Sequence, residues 1–124
     1  MTMKVEFYCW VKWNTCRQAK EFLSQKNVEI NERDFFKNPF NRAESMELLK
    51  GKSPSEMFNF RSPSFKQLGL VKEKLGDNEL IELMLKEPRL IRRPVVRISG
   101  QIYFGADKSV LASLITWYEA VKPG

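Results

Sequence analysis

The sequence predicts an α/β domain: a four-stranded mixed sheet with flanking helices and a helical insert between the second and third strands. Three observations predict it. Residues 4–34 read strand, helix, strand; the middle is a series of capped helical segments; and the end reads strand, strand, helix. The whole of 1–124 is expected to be one domain, with the insert over about 38–90.

Val5, Phe7 and Cys9 alternate with Glu6 and Tyr8, so a first strand is expected over Lys4 to Cys9. After Trp10 to Trp13, Asn14-Thr15 offers two capping side chains, and Cys16, Ala19, Phe22 and Leu23 follow at the spacing of one helical face. A second alternating run, Val28 to Asp34, begins after a connection at Asn27, which makes a βαβ unit with parallel strands and a right-handed crossover.

Two segments of the middle have the capping-box layout, Asn41 with Glu44 and Ser53-Pro54 with Glu56. Ser62-Pro63 opens a short helix through Phe65 and Leu68 that Gly69 stops. Asp77 is placed to cap a longer helix carrying Leu80, Ile81, Met84 and Leu85, ending before Pro88. The pattern then returns to β over Val95 to Ile98 and Gln101 to Phe104, a hairpin about Ser99-Gly100. Asp107 caps a last helix whose inner face is assigned to Val110, Leu111, Leu114, Ile115 and Tyr118.

At 124 residues, 43% apolar and 29% charged, the chain can bury a core and has neither a disordered nor a disulfide-scaffold composition. No apolar run reaches membrane-span length, and Lys4 and Glu6 interrupt the start where a signal peptide needs its apolar stretch, so a cytoplasmic protein with no membrane contact is expected. The absence of histidine excludes Ser-His-Asp and Cys-His chemistry, and two cysteines alone build no zinc site, so no metal is expected. A net charge of +6 attracts anions, but Lys72, Lys74, Lys86, Arg89, Arg92, Arg97 and Lys108 are scattered without an aromatic-basic motif, which fits solvated faces rather than nucleic-acid binding.

The two cysteines carry the remaining chemistry. Cys16 falls in the first turn of the first helix, where the dipole favours a thiolate, yet it shares a face with Ala19, Phe22 and Leu23 and equally fits a small core residue. Cys9 ends the first strand and has the same two readings. Across a short loop their Cα atoms can approach the roughly 4.4 to 6.8 Å that a disulfide demands, and cytosolic conditions keep such a bond reduced unless it is transient. Trp10 and Trp13 sit in that loop, either as a binding surface or as a lid on the open end of the sheet.

Cys16-Arg17-Gln18-Ala19, Arg61-Ser62-Pro63-Ser64-Phe65-Lys66-Gln67-Leu68-Gly69-Leu70, Leu83 to Pro88 and Ile91-Arg92-Arg93-Pro94-Val95 together resemble the thioredoxin-fold family of arsenate reductases and Spx-like regulators. The resemblance covers nearly the whole chain and implies a thioredoxin-like fold. The insert Gly51 to Asn59, with Arg92-Arg93-Pro94, also resembles the nitrogenase-associated branch of that family. Family members carry a reactive cysteine three residues before the position of Cys16, and here that position is Trp13, which can form no thiolate. Of the three arginines that the reductases use to hold the oxyanion, Arg61 and Arg93 match two, and Tyr103-Phe104-Gly105-Ala106 supplies no third.

The resemblance further implies that Pro94 is cis and faces the active loop. Asn14 and Thr15, at the helix N-terminus, with Arg61 and Arg93 at the matching family positions, would form a pocket for a small oxyanion or a glutathione-like thiol, or else the two arginines bond only loop carbonyls and neighbouring acids. Two readings of function follow. One is a binding module that has lost the nucleophile and grips a protein partner with the Trp10 to Cys16 loop, as Spx-like members grip RNA polymerase. The other is a thiol-dependent reductase in which Cys16 or Cys9 attacks, with no bound cofactor and glutathione as co-substrate.

Overall fold

The computed structural model describes residues 3–10, 12–26 and 28–121, with side chains described as far as Trp117; Val11, the Asn27 connection and the Tyr118 side chain lie outside that description. The elements are β1 (Met3–Cys9), α1 (Asn14–Ser24), β2 (Val28–Asp34), α2 (Arg42–Leu49), α3 (Pro54–Met57), α4 (Pro63–Leu68), α5 (Asp77–Lys86), β3 (Val95–Ile98), β4 (Gln101–Phe104) and α6 (Lys108–Val121), with 3-10 turns at Lys72–Lys74 and Pro88–Leu90. They divide between two compact units, one up to Arg33 and again from Arg93, the other Asp34–Arg92.

The first unit holds a mixed sheet in the order β2-β1-β3-β4. β1 pairs antiparallel with β3, Phe7 opposite Val96, and β3 with β4, Val96 opposite Tyr103. The two-residue turn between them needs positive φ at both positions, and Ser99 and Gly100 adopt 51° and 80°. Alternation sends Val5, Phe7 and Cys9 to one face of β1, where they join Val96 and Ile98, Cys16, Ala19 and Leu23 of α1, and Leu111 and Ile115 of α6 in one buried cluster. α1 and α6 pack on each other over it.

Two expectations for this unit are corrected. Neither Asn14 nor Thr15 caps α1: the N-cap is Trp13, whose extended backbone and carbonyl, accepting from Arg17 N–H at 3.0 Å, begin the helix one residue earlier and without a side-chain cap. Val110 is 40% exposed rather than inward, and among the described side chains of α6 Leu111 and Ile115 carry the buried stripe, with Leu114 half-buried beside it. Asp107 does cap α6, its Oδ1 accepting from Val110 N–H at 3.0 Å.

In the second unit the expected caps at Asn41 and Ser53 form with their glutamates: Asn41 Oδ1 accepts from Glu44 N–H at 2.8 Å and Ser53 N–H donates to Glu56 Oε2 at 3.1 Å. α5 departs from expectation, since Gly76 is its N-cap and Asp77 its first residue; Glu79 Oε1 reaches back to Gly76 N–H at 3.2 Å and supplies the acceptor. Leu80, Ile81 and Met84 of α5 are buried, as are Met57, Phe58 and Phe65. Phe58 bridges Ile91 antiparallel, and Asn59 N–H donates to Leu90 O at 2.6 Å.

Candidate functional site

β1 carries Cys9 to its end, and α1 places Cys16 in its first turn. Their Cα atoms are 6.0 Å apart and the two residues form a disulfide. At 3% and 2% exposure they are a bonded pair within the core. Among the described residues no cysteine is free.

The intervening loop is organised by its aromatics. Trp13 N–H donates to Trp10 O at 3.0 Å, and the two rings meet edge to face with centroids 5.2 Å apart. Lys12 Nζ lies 5.7 Å from the centre of the Trp10 ring. On the other side Arg93 lays its guanidinium over Trp13, 3.8 Å from the ring centre. The result is a ladder of cation, ring, ring and cation at the start of α1. Burial alone pulls the Arg93 pKa below its usual value, and the face of a ring replaces part of the lost hydration. The peptide Arg93–Pro94 is cis, Pro94 is buried, and its carbonyl accepts from Ala106 N–H at 3.0 Å.

Beside the disulfide is a cavity of about 20 Å³ lined by Phe7, Cys9, Trp10, Cys16, Arg17, Lys20 and Glu32. That is room for one water molecule and not for an oxyanion or a peptide thiol. Its wall carries an ion pair, Lys20 Nζ to Glu32 Oε2 at 2.7 Å, which cancels charge that an anion would otherwise meet.

The remaining residues singled out by sequence fall as follows. Asn14 and Thr15 are exposed in the first turn of α1, with no acidic residue in that turn. Arg61 belongs to the second unit, exposed, its N–H donating to Asn59 Oδ1 at 3.1 Å. No group of three Cys, Asp or Glu side chains among the described residues is arranged to hold a metal ion, and no described helix is long and apolar enough to cross a membrane.

The family resemblance places Arg93 beside the Trp10 to Cys16 loop, and there it lies; what sequence reasoning did not find is that its guanidinium stacks on the Trp13 ring, because nothing in local spacing pairs a loop tryptophan with the residue before a distant strand. It also missed a network on β1 and β3. Tyr8 Oη donates to Glu6 Oε2 at 3.0 Å and Arg97 reaches the same oxygen at 3.3 Å. The outward phase of Glu6 and Arg97 on paired strands was the available signal. Burial first, and the Glu6 carboxylate second, push the Tyr8 pKa up to about 12.

Residues 8–113 match the model of the ArsC family. The chain is 30% identical over 116 residues to the regulatory protein MgsR of Bacillus subtilis (strain 168), covering 92% of each chain. It is 26% identical over 104 residues to the global transcriptional regulator Spx of Streptococcus pyogenes serotype M1, covering 82% of this chain and 78% of that one. Among solved structures, an arsenate reductase from Vibrio cholerae superposes with a TM-score of 0.75 at 23% identity, over 90% of this chain and 98% of that one, and shows that the fold is thioredoxin-like. A possible arsenate reductase from Streptococcus mutans UA159 is 31% identical, with a TM-score of 0.64 over 79% of this chain and 86% of that one.

Proposed function

The chain belongs to the ArsC family, and from that premise we propose that it is a cytoplasmic partner-binding regulator with an altered redox site rather than an arsenate reductase. The observation that carries this reading is Trp13 at the N-cap of α1 with Arg93 stacked on its ring at 3.8 Å. A nucleophile at that position must be a thiolate stabilised by the helix N-terminus. An indole has no ionisable sulfur. It also draws onto its face the arginine that an oxyanion would need. What the loop offers instead is aromatic surface flanked by Lys12 and Arg93, a composition that suits a protein contact. The relatives named as regulators support the same direction.

RNA polymerase, the partner implied by the likeness to Spx-like regulators, is the first to test. Tagged chain is expected to retain cognate RNA polymerase, with Trp10→Ala weakening retention, and purified protein is expected to show no arsenate turnover with glutathione and glutaredoxin. Turnover that disappears in Cys16→Ser or Cys9→Ser overturns the proposal.

The Cys9–Cys16 disulfide favours a second reading, a glutathione-linked reductase. In it the reduced pair gives two electrons and two protons to the substrate, and the disulfide that forms is opened again by two glutathione thiols, which leave as oxidised glutathione. The near-complete burial of both cysteines and the single-water cavity weigh against it, since thiol exchange needs an approaching sulfur.

A further inference from the structure

The Cys9–Cys16 bond is almost wholly buried, yet both cysteines line one small cavity of about 20 Å³. Two requirements of sulfur chemistry decide what can use it. Opening a disulfide by exchange needs a second sulfur in contact with the first, carried by a molecule as large as glutathione or a protein. Oxidising a pair of thiols needs only one oxygen against one sulfur. A cavity that holds a single water admits the oxygen and shuts out the carrier of the sulfur. Its charges favour an anionic sulfur at Cys16. Glu32 Oε2 is held by Lys20 Nζ at 2.7 Å, which leaves Arg17 to set the sign of the wall, and the first turn of α1 that carries Cys16 has no acidic residue.

We infer that Cys9 and Cys16 form a dithiol that hydrogen peroxide closes directly and that thiols do not reopen while the chain stays folded. The Cys16 sulfur, its proton given up to solvent, attacks one peroxide oxygen. The O–O bond breaks, and the departing hydroxide takes up a proton and leaves as water. The Cys9 sulfur then attacks the sulfur of the resulting sulfenic acid, the S–O bond breaks, and that hydroxide leaves with the Cys9 proton as a second water. One peroxide is thus reduced to two waters while two thiols are oxidised to one disulfide. In-line attack points the leaving oxygen away from the sulfur and out of the cavity, so the attacked oxygen alone has to fit. Cα atoms 6.0 Å apart lie within the range a disulfide needs, so the sulfenic acid meets its partner without a backbone rearrangement. The inference extends the altered redox site proposed above but involves no protein partner, and its failure would leave partner binding by the tryptophan loop untouched.

The test starts from the full chain reduced by a dithiol in urea, refolded and freed of reductant. Hydrogen peroxide, tert-butyl hydroperoxide and oxidised glutathione are compared, with bond formation read as the loss of two hydrogens in the intact mass and free cysteine as the reference for each oxidant. Relative to free cysteine, the chain is expected to favour hydrogen peroxide over the two bulkier oxidants by about tenfold or more. The oxidised chain is then held in excess glutathione. Its bond is expected to persist, and to open about tenfold faster or more in urea below the unfolding transition, where local opening exposes the sulfurs. With peroxide and dimedone, Cys16 is expected to be labelled in Cys9→Ser, and Cys9 severalfold more slowly in Cys16→Ser. Oxidant preferences equal to those of free cysteine overturn the proposal, as does reduction by glutathione that urea does not speed. Faster labelling of Cys9 overturns the assignment of the attacking sulfur. The rates on the unaltered chain need no variant and decide the matter where a variant does not fold.

Discussion

The guanidinium of Arg93 lies 3.8 Å from the centre of the Trp13 ring, so the residue where the family resemblance implies a nucleophile and an arginine of the expected anion site hold each other. The contact fixes the start of α1 where no side-chain cap does. Each residue thereby takes up the group with which the other would meet a ligand.

The first prediction concerns that stack. A half-buried cation on an indole contributes roughly 1 kcal/mol. Arg93→Ala is therefore expected to lower unfolding free energy in urea by about that amount, and Trp13→Ala by more, because its ring also covers the buried cluster. Arg93→Ala stability equal to that of the unaltered chain would count against the contact.

The disulfide closes a short loop, its cysteines seven positions apart. Chain entropy for such a loop corresponds to about 2–3 kcal/mol. The melting temperature is accordingly expected to fall on adding a dithiol reductant, and to fall no further with reductant in Cys9→Ser. Unchanged melting on verified reduction would show that the reduced and oxidised chains fold equally well.

Much of this was legible in the sequence, and the misses have physical reasons. Strands with one buried face declare themselves by alternation, as Val5, Phe7 and Cys9 do, and caps declare themselves where a side chain makes the bond, as at Asn41, Ser53 and Asp107. The α1 cap is made by the Trp13 backbone, which no residue type advertises, so the polar pair Asn14-Thr15 drew the assignment one residue too late. Cys9 and Cys16 were legible as a possible pair from the strand-loop-helix geometry. The approach of Arg93 to that loop was legible only through the family resemblance, and its stacking on Trp13 was not legible at all, because it joins elements far apart in the chain and follows no period.

A third prediction follows from Tyr8. Its folded pKa of about 12 stands above the usual 10, so the native state keeps its proton while the unfolded chain gives it up. The resulting stabilisation is fully present below pH 10 and is lost as pH rises through 12. Stability measured from pH 9 to 12 is expected to fall more steeply in the unaltered chain than in Tyr8→Phe, where this phenol is absent and other groups titrate alike. Parallel curves would mean that burial and the Glu6 carboxylate do not hold the phenol in its neutral form.

The last prediction concerns the anion site implied by the likeness to arsenate reductases. The first turn of α1 carries no acidic residue and no side-chain cap, so its amide N–H groups are available to an anion, and Lys12 and Arg17 add to the local potential. The Trp13 ring covers the guanidinium that would complete the site, and the cavity beside the disulfide holds only about 20 Å³. Sulfate is therefore expected to bind the unaltered chain weakly, with NMR shifts at Asn14 to Arg17 far from saturation. Trp13→Ala removes the ring and uncovers the face of Arg93, and severalfold tighter binding is expected at the same amides, since an ionised donor makes a hydrogen bond roughly twice as strong as a neutral one. The double variant Trp13→Ala with Arg93→Ala is expected to return to weak binding, which separates the guanidinium from the space that the ring vacates. Shifts spread evenly over the basic surface, with all three proteins alike, would reduce the site to diffuse screening and would leave Trp13 with no part in closing it.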